Sequence, residues 1–476
     1  SKLNQKHGSP QGALLSFVNK VAEEFPKQQF TTLAYGWSRK PPIGLKPAKN
    51  VSIFLANIEV NRSKTFSSDP RSASFRTDYE GWLKLSKNII LWDYTTQFTN
   101  FISPFPNYNT LNPNLSYFLK DKPEGIFMQG SGYSPAEFSE LKTYVIAKKL
   151  WNNSIDLSKA TDEFMQAYYG KAAPFLKQYM QLMEAESQKS NARLDIYDNP
   201  IKPYKTYLTI DLIAKYGQLL RQALQAVKGD ATFYTRVEKE VLPLNYTVLQ
   251  QARFYGLEPN GVFRLTSNGY EIRQGIAQQV DEFELALANC GIKQLNEDGL
   301  TVSAYIKQWK KLLATGPRIH KALNKKVTLL TPSDEEFAGK GARTLIDGNW
   351  GNLDFQYNWL GWYGKNMSVL VDLGEATPIA QVELAFLDNQ RHGMFLPKRI
   401  VVELATDEKN FEEIASIDNP APEENYVSEV RPFKFSFKKT KARFVKVTAY
   451  NLDQLPEWKI NKNKKPWLLT DEIIIN

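Results

Sequence analysis

The chain has 476 residues, 42% of them hydrophobic, and a formal net charge of +9 from 60 Lys and Arg against 51 Asp and Glu. This length suggests about two to four domains, and no uncharged apolar run approaches the roughly 18 residues of a membrane helix. The basic residues are scattered among acidic ones, which argues for a solvated surface and against a nucleic-acid partner.

A single cysteine, Cys290, excludes an intramolecular disulfide and a multi-cysteine zinc site. The histidines His7, His320 and His392 are far apart in sequence, so a histidine-rich metal site is not expected. Aromatics make up 13% of the chain, a composition that favours carbohydrate binding. The chain opens without Met or a signal peptide and soon enters a helical pattern, so it reads as a piece of a longer protein.

Apolar residues at helical spacing predict a helix over 11–25, stopped by Pro26. Short apolar runs then predict buried parallel strands starting near 30, 51, 88 and 125. Helices are predicted over 75–87 and 136–151. The strand starts are spaced much like the roughly 31 residues per unit of a (β/α)₈ barrel. With only four strands, the simplest account is the C-terminal half of such a barrel, completed by a segment upstream.

In such barrels the carboxyl ends of the strands carry the chemistry. The third strand stops at Asp93, and a loop dense in aromatics and amides follows it. Glu59 lies near the end of the second strand. These two acids are the candidate catalytic pair, although an Asp at a strand end serves equally well as a turn cap. Tyr35, Trp37, Trp92, Tyr94, Asn100, Gln129 and Tyr133 are the candidate substrate-binding residues, because aromatic faces cover the C–H faces of sugar rings and amides hold hydroxyls.

From about 156 to 316 the periodicity is helical, with segments over 157–186, 206–227, 232–255 and 270–314, the last broken near Gly291. The aromatics Phe164, Tyr168, Tyr169, Phe175 and Tyr179 recur at helical spacing and read as core. After Lys326, alternating apolar strands separated by turns predict an antiparallel β-sandwich. The expected domains are 1–152, 153–326 and 327–476.

The last region resembles a discoidin (coagulation factor 5/8 type C) domain close to family 32 carbohydrate-binding modules. The resemblance rests on Gly341-Ala-Arg-Thr-Leu-Ile-Asp347-Gly-Asn, Trp359-Leu-Gly-Trp-Tyr-Gly-Lys, Val371-Asp-Leu-Gly374, Ala442-Arg443-Phe-Val-Lys and Trp467-Leu-Leu-Thr-Asp471-Glu472-Ile. It implies a jelly-roll sandwich and a structural Ca²⁺ held by Asp347 and Glu472. It also implies ligand binding at tip loops, here Trp350, Tyr357, Trp362 and His392.

The first region resembles glycoside hydrolase family 163, the endo-β-N-acetylglucosaminidases of gut Bacteroidetes that act on complex N-glycans. The matching stretches include Thr32-Leu-Ala-Tyr35, Lys40-Pro-Pro42, Ile58-Glu59, Trp92-Asp93-Tyr94, Pro104-Phe-Pro-Asn107, Gly125-Ile-Phe-Met-Gln129-Gly and Tyr168-Tyr-Gly-Lys-Ala-Ala-Pro174. The resemblance implies a glycan or glycoprotein substrate, a substrate-assisted retaining mechanism without a catalytic cofactor, and export to the periplasm or cell surface. The family carries an Asn-Asp stretch just upstream of the residues present here. Two alternatives stay open: a non-catalytic glycan-binding protein, and an exo-hexosaminidase or α-glucuronidase-like hydrolase.

Overall fold

The computed structural model describes residues 1–132, 134–355, 357–459 and 464–476. The chain clusters into two compact units. One comprises residues 1–249 and 279–307, the other 250–278 and 308–476.

The first unit is built on a parallel sheet of β1 (Phe30–Ala34), β2 (Val51–Ala56), β3 (Ile89–Tyr94) and β4 (Gly125–Gln129), in that spatial order among the described residues. Side chains alternate across a strand, and among the described residues helices cover only one face of this sheet. Ile53, Leu55, Ile89 and Leu91 pack with Leu15 and Ala22 of α2 (Gln11–Glu24) and with Tyr79 and Trp82 of α3 (Ala73–Leu85); the short α1 (Lys2–Lys6) precedes them. On the opposite face Phe54 stacks on Trp92, their centroids 5.1 Å apart, and Trp92 meets Phe127 at 5.7 Å. Leu33 and Phe127 on this face remain exposed. Parallel strands are ordinarily covered on both faces.

β1 and β2 are shorter than their sequence pattern suggests. Gly36–Ser38 forms a 3₁₀ turn after β1, and β2 stops at Ala56, so Glu59 lies in the following loop. The helix α4 (Tyr108–Leu119) is unexpected, because Pro113 in its middle masks the helical signal.

Beyond β4 come α5 (Ser139–Trp151), α6 (Leu157–Tyr169), α7 (Ala173–Ser190), α8 (Ile210–Ala226), α9 (Ala231–Tyr255), α10 (Ile276–Asn289) and α11 (Val302–Thr315). Tyr169 and Tyr179 are wholly buried, and Phe164, Tyr168 and Phe175 pack against the same core. Residues 270–275, expected to be helical, instead belong to a hairpin and its exit. β5 (Phe263–Thr266) pairs with β6 (Gly269–Ile272), and Gly269 takes the positive φ of +120° that the tight turn requires.

Three buried acids of the first unit hold backbone N–H groups rather than cations. Glu137 accepts from Phe105 N (2.9 Å) and the Tyr179 hydroxyl (2.7 Å). Glu184 accepts from Tyr108 N (2.6 Å), at the start of α4. Glu240 accepts from Phe138 N (2.8 Å) and the Tyr169 hydroxyl (2.7 Å). These bonds pin the loops after β3 and β4 to helices far along the chain.

In the second unit a seven-stranded sheet is formed among the described residues. β7 (Lys326–Leu329), β9 (Leu360–Tyr363), β10 (Met367–Asp388), β11 (Arg399–Ala405), β12 (Glu412–Asp418), β13 (Glu429–Tyr450) and β14 (Trp467–Ile475) contribute, and β8 (Gly339–Ala342) lies off it. The order is β12-β11-β13-β10-β14-β9, with β7 also on β10. The pairings of β10 with β13, β14 and β7 are antiparallel. Register shifts between Asp372 and Thr377 and between Ile379 and Gln381 interrupt the β10–β13 ladder. The two halves of each long strand then enclose one core that includes Val371, Leu384, Phe386, Ile400 and Val445.

Burial, reinforced by the nearby Glu140, pushes the Glu240 carboxyl up to about 8, and burial pushes Glu184 up to about 7. A carboxyl raised on folding stabilises the native state fully below its unfolded pKa and loses that contribution as pH rises through the folded value. The urea midpoint of the chain is therefore expected to contain a component that falls between about pH 5 and pH 8. Urea titrations of the wild type and Glu240→Gln check this: the variant is expected to show a shallower decline.

Candidate functional site

The carboxyl ends of β1–β4 bring several of the expected residues together, but with unequal access. Along β3, Ile89, Leu91 and Asp93 share the helix-covered face, and Trp92 takes the open one. Asp93 is therefore buried, 5% exposed. It pairs with Arg62 Nη2 at 3.4 Å and accepts from Tyr94 N at 2.8 Å. Arg62 also donates to the carbonyls of Tyr94 (3.1 Å), Val60 (3.0 Å) and Asn57 (3.1 Å), and to the Asn57 side chain (2.9 Å). Burial pushes the Asp93 carboxyl up, and Arg62 opposes that shift. This corrects the expectation that Asp93 faces substrate: its carboxylate positions Arg62, which shapes the loop after β2.

Glu59 is accessible, its side chain 49% exposed, and Arg39 Nη1 holds it at 2.5 Å. Arg39 in turn is fixed by Asp78 at 2.7 Å. Trp37 is 71% exposed, with a free indole face. Tyr35 stacks on Trp92 at 5.6 Å. Gln129 is committed locally, since its Oε1 accepts from Trp92 Nε1 at 2.7 Å. Asn100 is a buried structural amide that donates to Asp198 O (2.8 Å) and accepts from the Tyr246 hydroxyl (2.5 Å), so it does not meet a sugar. Tyr94 is buried among Phe98, Phe101 and Ile196. Tyr133 lies outside the described residues.

The same surface gathers residues that sequence reading missed. Arg193 donates to Glu59 O at 3.1 Å and pairs with Asp195 at 2.8 Å. Tyr197, 41% exposed, neighbours both Tyr35 and Glu297, and burial together with the charge of Glu297 raises its hydroxyl. These residues come from loops 99 or more positions beyond the end of β3, and no local motif marks them. The result is an open surface of Trp37, Tyr35, Tyr197 and the acids Glu59, Asp195 and Glu297.

In the second unit, two of the four expected tip residues are core. Trp362 is fully buried with Nε1 on Thr331 O (2.9 Å), and Tyr357 is 3% exposed. Neither can stack on a ligand, which corrects that assignment. Trp350 is partly exposed, but its Nε1 bonds Gly316 O (2.9 Å) and the Arg318 guanidinium lies 3.7 Å over its ring. His392 is exposed, packs at a tilt against Phe355 at 4.8 Å and meets Asn389 Oδ1 at 2.9 Å.

Beside His392 stands an aromatic platform that no motif signalled. Tyr426 is 56% exposed; Trp458 backs it at 6.3 Å and itself packs on buried Phe395 at 6.1 Å. The Tyr426 hydroxyl bonds Glu424 at 2.6 Å, and the Lys459 ammonium lies 5.9 Å from its ring centre. Three loops are tied by one buried residue, Gln390. Its amide donates to Glu423 O (3.1 Å), its side-chain oxygen accepts from Asn425 N (2.9 Å), and its carbonyl accepts from Lys459 Nζ (2.7 Å).

Asp347 and Glu472, expected to share a Ca²⁺, do meet. Glu472 accepts from Asp347 N at 3.2 Å and from Gly348 N at 2.9 Å. Their oxygens are engaged by protein donors. His320 Nε2 sits 2.7 Å from Glu472, Asn349 N donates to Asp347 at 2.9 Å, and Lys340 Nζ pairs with Asp347. Among the described residues no group of three or more His, Cys, Asp and Glu is placed to hold a metal.

A family model described as a domain of unknown function (DUF4838) matches residues 1–181. No curated protein matches the chain. Similar solved structures include the CBM32 of AlyQ in complex with 4,5-unsaturated mannuronic acid, at 21% identity over 32% of this chain and 96% of that one, with a TM-score of 0.22. A chitosan-binding module 1 from a chitosanase/glucanase of Paenibacillus sp. IK-5 is 14% identical over 33% of this chain and 99% of that one, with a TM-score of 0.23. The lectin domain of lectinolysin, complexed with Lewis B antigen, is 19% identical over 34% and 97%, also at 0.23.

Replacing one partner of a buried pair leaves the other uncompensated, a loss of about 3–5 kcal/mol. Arg62→Met is expected to lower stability by that amount in a denaturant titration. The double variant Arg62→Met/Asp93→Leu is expected to recover part of it, since the stranded charge is gone.

Proposed function

We propose that the protein recognises carbohydrate through the loop end of its C-terminal sandwich. The observation that carries this reading is the platform of Tyr426 and Trp458. A pyranose ring presents a face of C–H bonds that packs on an exposed aromatic ring, and its hydroxyls suit the Glu424 carboxylate and the Lys459 ammonium alongside. Gln390 ties the three loops before any ligand arrives, which lowers the ordering cost of binding. In isothermal titration with N-acetylglucosamine-containing oligosaccharides, Tyr426→Ala is expected to weaken binding about tenfold or more, ~1.4 kcal/mol. Wild-type protein that binds none of a broad glycan panel overturns the reading.

A second, catalytic reading is favoured by the open aromatic face of the parallel sheet, which leads to Tyr35, Trp37 and Glu59. In it the protein is an endo-β-N-acetylglucosaminidase of the glycoside hydrolase family 163 type, acting on complex N-glycans outside the cytoplasm. Polypeptide preceding Ser1 supplies further β/α units that cover Leu33, Phe54, Trp92 and Phe127 and close a (β/α)₈ barrel. Glu59, paired with Arg39, then accepts the acetamide N–H and orients that group while the substrate's own acetamide oxygen attacks the anomeric carbon; an acid from the further units protonates the leaving oxygen, and Asp93 acts only through Arg62. With the barrel complete, Glu59→Gln is expected to lower kcat by about 10² or more. The check is release of glycan from a glycoprotein, and unchanged turnover removes Glu59 from the reaction.

A further inference from the structure

The Asp347 site is built differently from a Ca²⁺ site. A hard cation of that kind gathers about six to eight oxygen ligands. Here the oxygens of both carboxylates face N–H donors and one ammonium. Asp347 Oδ1 accepts from Asn349 N, and Oδ2 receives the Asn349 amide at 3.3 Å and the Lys340 ammonium. Glu472 Oε1 takes Gly348 N and His320 Nε2, and Oε2 takes Asp347 N. Gly348 adopts a positive φ of +76°, and a Cβ there would meet Arg318 O at 2.9 Å, so only glycine brings this N–H up to Glu472 without strain.

Lys340 is itself enclosed. Its side chain is 7% exposed, its ammonium lies 3.5 Å from Glu258 Oε1, and the ring of Phe254 stands 5.3 Å away. Arg343 holds Glu258 from the solvent side at 3.1 Å. The β8 strand aims Lys340 at the Asp347 loop, only seven residues further along the chain. An ammonium buried between two carboxylates and an aromatic face has the surroundings of a bound cation, except that the protein supplies the charge.

We propose that Lys340 is the resident cation of this site: its ammonium neutralises Asp347, with Glu258 beside it, in place of a Ca²⁺, and the unit folds without a divalent ion. The two ends of the sandwich are then joined by Glu472 through backbone N–H groups, and no metal bridges them.

The test uses the full chain, in thermal melts and in calorimetric titration with CaCl₂. For the wild type, the expected result is no binding heat and a Tm that is the same in millimolar Ca²⁺ and in EDTA. Lys340→Ala removes the ammonium between Asp347 and Glu258 and leaves Asp347 without its cation. It is expected to lower Tm by about 6 °C or more and to regain part of the loss in Ca²⁺. Lys340→Arg keeps a charge at the position and is expected to remain insensitive to Ca²⁺, which keeps the test open should the alanine variant not fold. A wild-type Tm that rises with Ca²⁺ and falls with chelator overturns the proposal. So does a Lys340→Ala variant as stable as the wild type.

Discussion

One guanidinium organises the loops at the carboxyl ends of the parallel sheet. Arg62 is 2% exposed, yet it fills its donors with Asn57, Val60, Tyr94 and Asp93 while its plane lies over the Tyr94 ring at 5.0 Å. Its own backbone extends the network, since its N–H bonds Leu194 O and its carbonyl accepts from Thr110. The loop after β2, the end of β3, the start of α4 and the segment that delivers Arg193, Asp195 and Tyr197 all bond to this one residue, the first two through its side chain and the others through its backbone. Asp93 balances a charge whose desolvation is otherwise severe.

The second unit uses the same device in another form. Glu472 is fully buried and gathers the turn at Asp347 and Gly348 from the far end of the chain, with His320 on its other side. Burial pulls His320 down to about 4, so a neutral imidazole serves as the partner at neutral pH. Gln390 does similar work with a neutral amide. In each case a buried polar group satisfies backbone groups that would otherwise be stranded, and a loop of defined shape results.

The two units present exposed surfaces of different kinds. The loop end of the sandwich offers a ready aromatic platform with charged neighbours. The strand-end surface offers acids and aromatics around an uncovered sheet face. Glu59 belongs to the surface, whereas Asp93 belongs to the scaffold beneath it, although the two acids look alike in sequence.

The sequence by itself determined the regular elements of this protein. Apolar runs marked all four parallel strands, helical spacing marked the aromatic core around Tyr169 and Tyr179, and alternation marked the sandwich. These signals are local, because periodicity is a property of consecutive residues. Only the tertiary structure decided which face of a strand is covered. That placed Asp93 against Arg62, and the same kind of packing enclosed Tyr357 and Trp362, leaving just His392 and part of Trp350 at the tip. It also brought Glu240 to Phe138, Asn425 to Gln390 and Lys340 to Glu258. Such partners lie tens to a hundred residues apart, and no spacing in the chain encodes them. Tyr426 and Trp458 became a platform for the same reason, since a loop residue's exposure is set by what the rest of the fold leaves uncovered.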